Sequence, residues 1–280
     1  MYCSLARSRT WSWTLVLVVS MSAAWVAGVG ASVNSPSGLD AALTAVDNVF
    51  ARNIANPRKL EEDCRALLVA LPTDAQKGLV CAHIGRLYGE GRIPQPERGA
   101  QYCEEALSYP LPPHIAANAY RSWGMCAELA TYTDDATQAG LFRRLAAERY
   151  LRGLKIMLDA NAPATEPKAP PHPIDSTAGG FSEEYKHALD AADEEWAGRW
   201  RLWSARDDLM MACIFLYVPR FPKYDELGPL ADCILAGHRE VAKQLVDLLA
   251  VARNAPPGTG WTHVRQALAP PVGGEATPPK

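Results

Sequence analysis

Seven cysteines and the stretch "WAGRWRLWSARDDLMMAC" (196–213) hold most of the chemistry this 280-residue sequence could carry. A thiol can be a nucleophile, a metal ligand or half of a disulfide. Tryptophan and arginine are the side chains that most often anchor a protein interface. Trp196, Trp200, Trp203 and Asp207 follow one another at spacings of four, three and four, which sets them along one edge of a helix. Asp207 interrupts an otherwise apolar stripe, and a buried carboxylate needs a partner because an unpaired charge there is very costly.

Other chemistries lack their residues. The six histidines are scattered, and none stands at zinc spacing with a cysteine. His238 and Glu240 are close, but no H-E-x-x-H occurs, and neither does a G-x-S-x-G nucleophile elbow. The "AGGFSEEY" stretch (178–185) has neither the lysine nor the spacing of a phosphate loop. Asp134–Asp135 and Glu183–Glu184 fall at expected helix starts, where carboxylates favour the positive end of the dipole. No catalytic residue, metal or cofactor is therefore expected. The formal charge of −3, a pI near 6.1 and the lack of any Lys/Arg-rich run argue against nucleic acid as a partner.

Helices must position these residues. Apolar residues return every three or four positions, and β-branched alternation is missing, so the sequence predicts an all-α fold. The expected helices are 39–54, 58–70, 74–89, 95–108, 114–130, 135–159, 182–218 and 229–252. "TDAQ" (73–76) reads as a capping box, and Pro229 suits a first helical turn. Residues 1–31 read as an export signal: Arg7 and Arg9, then "TLVLVVSMSAAWVAGV", then a small-residue cleavage site before Ser32. An uncleaved anchor is the alternative, and no later segment is apolar enough to span a membrane. Export and cleavage leave Cys64, Cys81, Cys103, Cys126, Cys213 and Cys233, an even number that suits disulfides in an oxidising compartment. Buried free thiols are the alternative. Five prolines in 163–173 and Gly179–Gly180 mark 160–181 as a linker, and the Pro/Gly-rich tail 254–280 reads as disordered, with a transient helical turn or two as the most that "WTHVRQAL" (261–268) would form. Two helical regions remain, 32–159 and 182–253.

The first region repeats itself. Gly85 and Gly124 are 39 residues apart, as are Ala100 and Ala139, each glycine inside a first helix and each alanine inside a second. A period near 40 made of helix pairs is the mark of an α-solenoid. "CAHIGRLYGEGRIPQPERGAQYCEEAL" (81–107) resembles a Sel-like repeat, a relative of the tetratricopeptide repeat, through Ile84, Gly85, Tyr88, Gly89, Gly91 and Ala100. Its loop is about one residue short, Pro96 stands near an expected aspartate, and the second unit lacks the glycine-rich turn. Cys81 and Cys103 are equidistant from residue 92 in the turn, so an antiparallel pair would let them meet; Cys64 and Cys126 are left to pair or stay reduced. The resemblance implies a bridge of the first kind, since exported Sel-like proteins link their two helices in a similar way.

The second region reads as a hairpin of two amphipathic helices joined by "PRFPKYDELG". Cys213 and Cys233 are symmetric about residue 223, and so are Asp207 and Arg239. The expectation is a Cys213–Cys233 bridge with an Asp207–Arg239 ion pair about two turns away. Trp196, Trp200 and Trp203 then pack the core, or with Arg206 form a partner-binding patch. The order W, W-x-x-R-D, C, then C-I-L-A-x-x-R and L resembles the LprI-type lysozyme-inhibitor domain of exported bacterial proteins. It is carried by Trp200 or Trp203, Arg206, Asp207, Cys213, Cys233, Leu235, Ala236, Arg239 and Leu245. Three extra residues before Cys213, a missing earlier cysteine pair and Val241 in place of an arginine depart from it. The resemblance implies a periplasmic or secreted module that binds a protein partner in the cell envelope, with a lysozyme-type muramidase as one expected partner. Arg220 and Lys223 in the 218–227 turn are candidates for the contact, and a plain helix connection is the alternative. The rival function is a Sel/TPR-like scaffold without lysozyme activity, and a third reading is an enzyme with a carboxylate site that the sequence does not reveal.

Overall fold

The computed structural model describes residues 37–71, 73–133, 135–170, 183–218 and 226–269. The export signal expected at 1–31, and Arg220 and Lys223 in the turn, lie outside the described residues. The described residues are all-helical, in ten α-helices. They are α1 (Ser37–Asn53), α2 (Pro57–Ala70), α3 (Asp74–Gly89), α4 (Pro96–Leu107), α5 (Pro113–Ala130), α6 (Ala136–Asp159), α7 (Glu183–Tyr217), α8 (Leu227–Ile234), α9 (Arg239–Asn254) and α10 (Gly260–Leu268). None is long and apolar enough to cross a membrane.

Local chemistry sets the starts. The Thr73 hydroxyl accepts the Gln76 N–H at 3.2 Å and donates to Gln76 Oε1 at 3.0 Å. Asn56 caps α2 through the Lys59 N–H, ahead of Pro57 in the first turn. Asp135 caps α6 through the N–H groups of Thr137 and Gln138.

The helices stack in order. α3 packs on α4, α5 on α6, and α1, α3, α5 and α7 follow one another in contact. Glycine decides how close the pairs come. A Cβ on Gly85 would lie 2.4 Å from Cys103 Sγ, and one on Gly99 would lie 2.5 Å from Tyr88 Cβ. A Cβ on Gly124 would lie 2.2 Å from the Tyr150 ring. Both periodic glycines, Gly85 and Gly124, thus serve as notches for the second helix of their pair.

Two apolar clusters make up the interior. One joins α1–α5 around Phe50, Leu60, Ile84 and Tyr88; the other joins α5–α10 around Tyr150, Leu154, Leu209, Ile214 and Leu245. α5 contributes to both, with Ala119 and Cys126 in the first and Ala117 and Ala127 in the second. Leu209 of α7 sits against Gly153 of α6, so the region after the linker shares its core with the region before it.

Two expectations about the chain's course are corrected. The helix expected at 229–252 is broken by a 3₁₀ turn at Ala236–His238, around Gly237, a residue poorly suited to helix interiors. The tail beyond 254 is not a featureless coil throughout. Pro256, Pro257 and Gly258 (φ 81°) turn the chain, and α10 docks on α9 with Val264 fully buried.

Candidate binding face

Burial closes off chemistry at five of the six described cysteines. All six described cysteines are free, five of them buried and Cys233 exposed. Neither expected bridge, Cys81–Cys103 or Cys213–Cys233, is present, and Cys64 and Cys126 stay reduced. Cys103 Sγ packs into the notch at Gly85, one helical turn along α3 from Cys81. Cys126 Sγ lies against Gly99 of α4, where a Cβ would meet it at 2.6 Å, while Cys64 belongs to α2. Cys213 lies in the core of α7, whereas Cys233 is on α8, which packs on α6. Symmetry about residue 223 fails because α8, which carries Cys233, packs on α6 and α9, and because the break at Ala236–His238 separates Arg239 from α8. Burial pushes the thiols of Cys64, Cys81 and Cys126 up to about 12, and raises those of Cys103 and Cys213 as well. They stay protonated, so none is a thiolate nucleophile.

Asp207 also has a different partner. Its carboxylate meets the Arg265 guanidinium of α10 at 3.0 Å, and Arg239 is exposed at the start of α9. Arg265 lies over the Trp261 ring at 4.7 Å, and Trp261 packs on Phe215 with centroids 4.1 Å apart. Burial raises the Asp207 carboxyl above its ordinary range, with Arg265 opposing that shift.

The tryptophans of α7 lie outside the apolar core. They hold the chain's own linker. α6 ends in a left-handed Asn161 (φ 54°), with the Ala162 N–H donating to Met157 O at 2.9 Å and the Asn161 N–H to Leu158 O at 3.0 Å. This is a helix-terminating turn in which asparagine takes the place usually held by glycine. Pro163 then bars further helix, and the segment 163–170 runs as an irregular strap over α7. Arg206 Nη1 donates to Pro163 O at 2.9 Å. Trp196 Nε1 donates to Pro167 O at 3.1 Å, and Trp200 Nε1 to the Glu166 carboxylate at 3.4 Å. Trp200 and Trp203 form a tilted pair, 6.1 Å between centroids.

The structure therefore gathers Trp196, Trp200, Trp203 and Arg206 on one face, and Asp207 next to it in the α10 contact. Sequence reasoning missed Pro163, Glu166, Pro167, Trp261 and Arg265. The signal was present in two pieces, a proline-rich segment and a tryptophan ladder, which are complementary chemistries for peptide recognition. Among the described residues no group of three or more His, Cys, Asp or Glu side chains could hold a metal ion. His83 pairs with Asp47 at 3.0 Å, and His238 with Asp159 at 2.9 Å. Comparison with family models, with curated proteins and with solved structures finds no match to the chain.

Proposed function

We propose that this chain is an exported helical-repeat protein of the bacterial cell envelope that works by binding another protein. The observation that carries the reading is the serial stacking of α1, α3, α5 and α7, with glycine notches at Gly85 and Gly124 closing successive helix pairs. Stacked pairs of this kind build an extended surface suited to holding a partner. The five buried thiols are held protonated by burial, and Cys233 alone among the described cysteines is exposed. For those five, burial is also compatible with free cysteines in an oxidising compartment, since an inaccessible protonated thiol oxidises slowly.

Scaffold and lysozyme inhibitor are two versions of this function, and the packing favours the scaffold. Cys213 and Cys233, which carry the likeness to the LprI-type hairpin, are not joined, and Asp207 turns to Arg265. Turnover assays of several lysozymes with the full chain added separate the two. Saturable inhibition that is lost when Arg220 and Lys223 are both changed to alanine would establish the inhibitor. Unchanged turnover, with a stoichiometric envelope protein crosslinked to the full chain, would establish the scaffold. The proposal fails if the chain, expressed with its first 31 residues, stays in the cytoplasm.

A further inference from the structure

We infer that the Trp196–Trp200–Trp203–Arg206 edge of α7 is a binding site for extended, proline-rich peptide, occupied in this structure by the chain's own strap. The inference rests on the reading of the chain as a protein-binding molecule and names the chemistry of the partner segment.

Four observations point to a ligand rather than a structural brace. First, the contacts are those of peptide recognition. Two side-chain N–H donors from a helix meet main-chain carbonyls, at Pro163 and Pro167, and a third meets the one carboxylate between them. A proline-rich strand has no internal hydrogen bonds, so its carbonyls are free for such donors, and indole N–H groups are well suited to them. Second, the strap adds almost nothing to the interior. Of 161–170, Ala162 packs against an apolar cluster and Pro163, Pro167 and Pro170 are half-buried, while Ala164, Thr165, Glu166, Lys168 and Ala169 are exposed. Third, the receiving edge is ready-made. Trp200 and Trp203 brace one another on the same helix, so little of their side-chain freedom remains to be lost on binding. Fourth, the donors are graded along the helix: positions 196, 200 and 206 meet strap residues 167, 166 and 163. The strap therefore runs antiparallel to α7, with one direction and one register.

An occupant tethered next to its own site has an effective concentration in the millimolar range, so a free peptide competes poorly with it. A longer proline-rich segment on another protein, or one presented in several copies, would displace the strap. The seat would select for a carboxylate near the centre and prolines on both sides, as in the strap's "PATEP".

The test uses the full chain with residues 163–170 replaced by glycine and serine at constant length, and a synthetic peptide, NAPATEPKAPP. The expected result is unchanged far-UV helicity and saturable binding with a Kd on the order of 100 μM, read by tryptophan fluorescence. The unmodified chain should bind at least tenfold more weakly. Adding Trp196→Phe, which keeps a ring and removes the donor, should weaken binding roughly three- to tenfold. Loss of helicity on replacing the strap would overturn the inference, since a ligand can be removed and a structural element cannot. No saturation by a folded variant up to millimolar peptide would overturn it. So would equal binding of a peptide with every proline changed to alanine, or equal binding by the unmodified chain. Failure here leaves the envelope-partner test untouched, because crosslinking and lysozyme turnover do not involve this peptide.

Discussion

In the α3–α4 pair the helices meet on glycine: Gly85 receives Cys103, and Gly99 receives Tyr88 and Cys126. In the α7–α9 pair they meet in a core of large side chains that includes Leu209, Met210, Ile214, Leu245 and Leu249, with polar groups confined to one edge. Each region carries a cysteine on either side of a turn, and in neither does a bridge hold the register. The first is held by close backbone approach, which tolerates almost no added volume. The second is held by apolar bulk together with peripheral clasps, Arg265 on Asp207 and the strap on the tryptophans. The lesson is that a notch and a clasp respond differently to perturbation, one to volume and the other to charge and pH.

The largest effect should come from Gly124→Ala. The Tyr150 ring is fully buried, and its hydroxyl donates to Glu128, so it cannot move aside. Urea unfolding should show a loss of about 3 kcal/mol, at the upper end for overpacking. Gly85→Ala should cost about 1–2 kcal/mol, because a thiol yields more readily than a ring. Combining it with Cys103→Ala should recover about 1 kcal/mol relative to additivity, since the clash partner is gone. Full additivity in that cycle would remove the notch from the account.

The clasp should respond to pH. Arg265→Ala should cost about 1 kcal/mol at pH 7, a value reduced because Arg265 is 46% exposed and partly screened. The Asp207 carboxyl is raised in the folded protein, so its stabilising contribution is complete below its unfolded value near 3.8 and is lost as pH rises through the folded value. Removing Arg265 raises it further. The cost of the substitution should therefore be present at neutral pH and vanish below about pH 4 in pH-dependent unfolding curves. A cost that does not change with pH would mean that Arg265 acts through Trp261 alone. The smallest effect should be a gain. Gly198 lies inside α7 with open space around its missing Cβ, so Gly198→Ala should stabilise the chain by about 0.5–1 kcal/mol.

The helices from α1 to α7 were legible because their apolar spacing, caps and prolines all agree, and the glycine period was legible because backbone contact needs glycine wherever it occurs. What failed was inference by symmetry. Counting equal distances from a turn assumes two unbroken rods packed on each other; instead α8, which carries Cys233, packs on α6 and α9, and the 3₁₀ turn at Ala236–His238 breaks the return segment before Arg239, which is exposed. The binding face was half legible. Trp196, Trp200, Trp203 and Arg206 stood out by type and spacing, but their occupant lay in a segment that composition marks as a linker. A proline-rich strand is a linker only while nothing offers it donors. α10 was legible only as a transient turn or two for a related reason: prolines and glycines flank a nine-residue helix whose stability comes from Val264, Trp261 and Arg265 meeting α7 and α9, not from its own propensity.

Urea unfolding of the full chain, followed by tryptophan fluorescence and far-UV circular dichroism with and without reductant, tests most directly whether close packing rather than sulfur linkage joins the two regions. One transition is expected, coincident for both probes because α5 belongs to both clusters, with a midpoint that reductant leaves in place. Two separate transitions, or a midpoint lowered on reduction to the extent expected for the loss of about 2–5 kcal/mol typical of a lost disulfide, would contradict it.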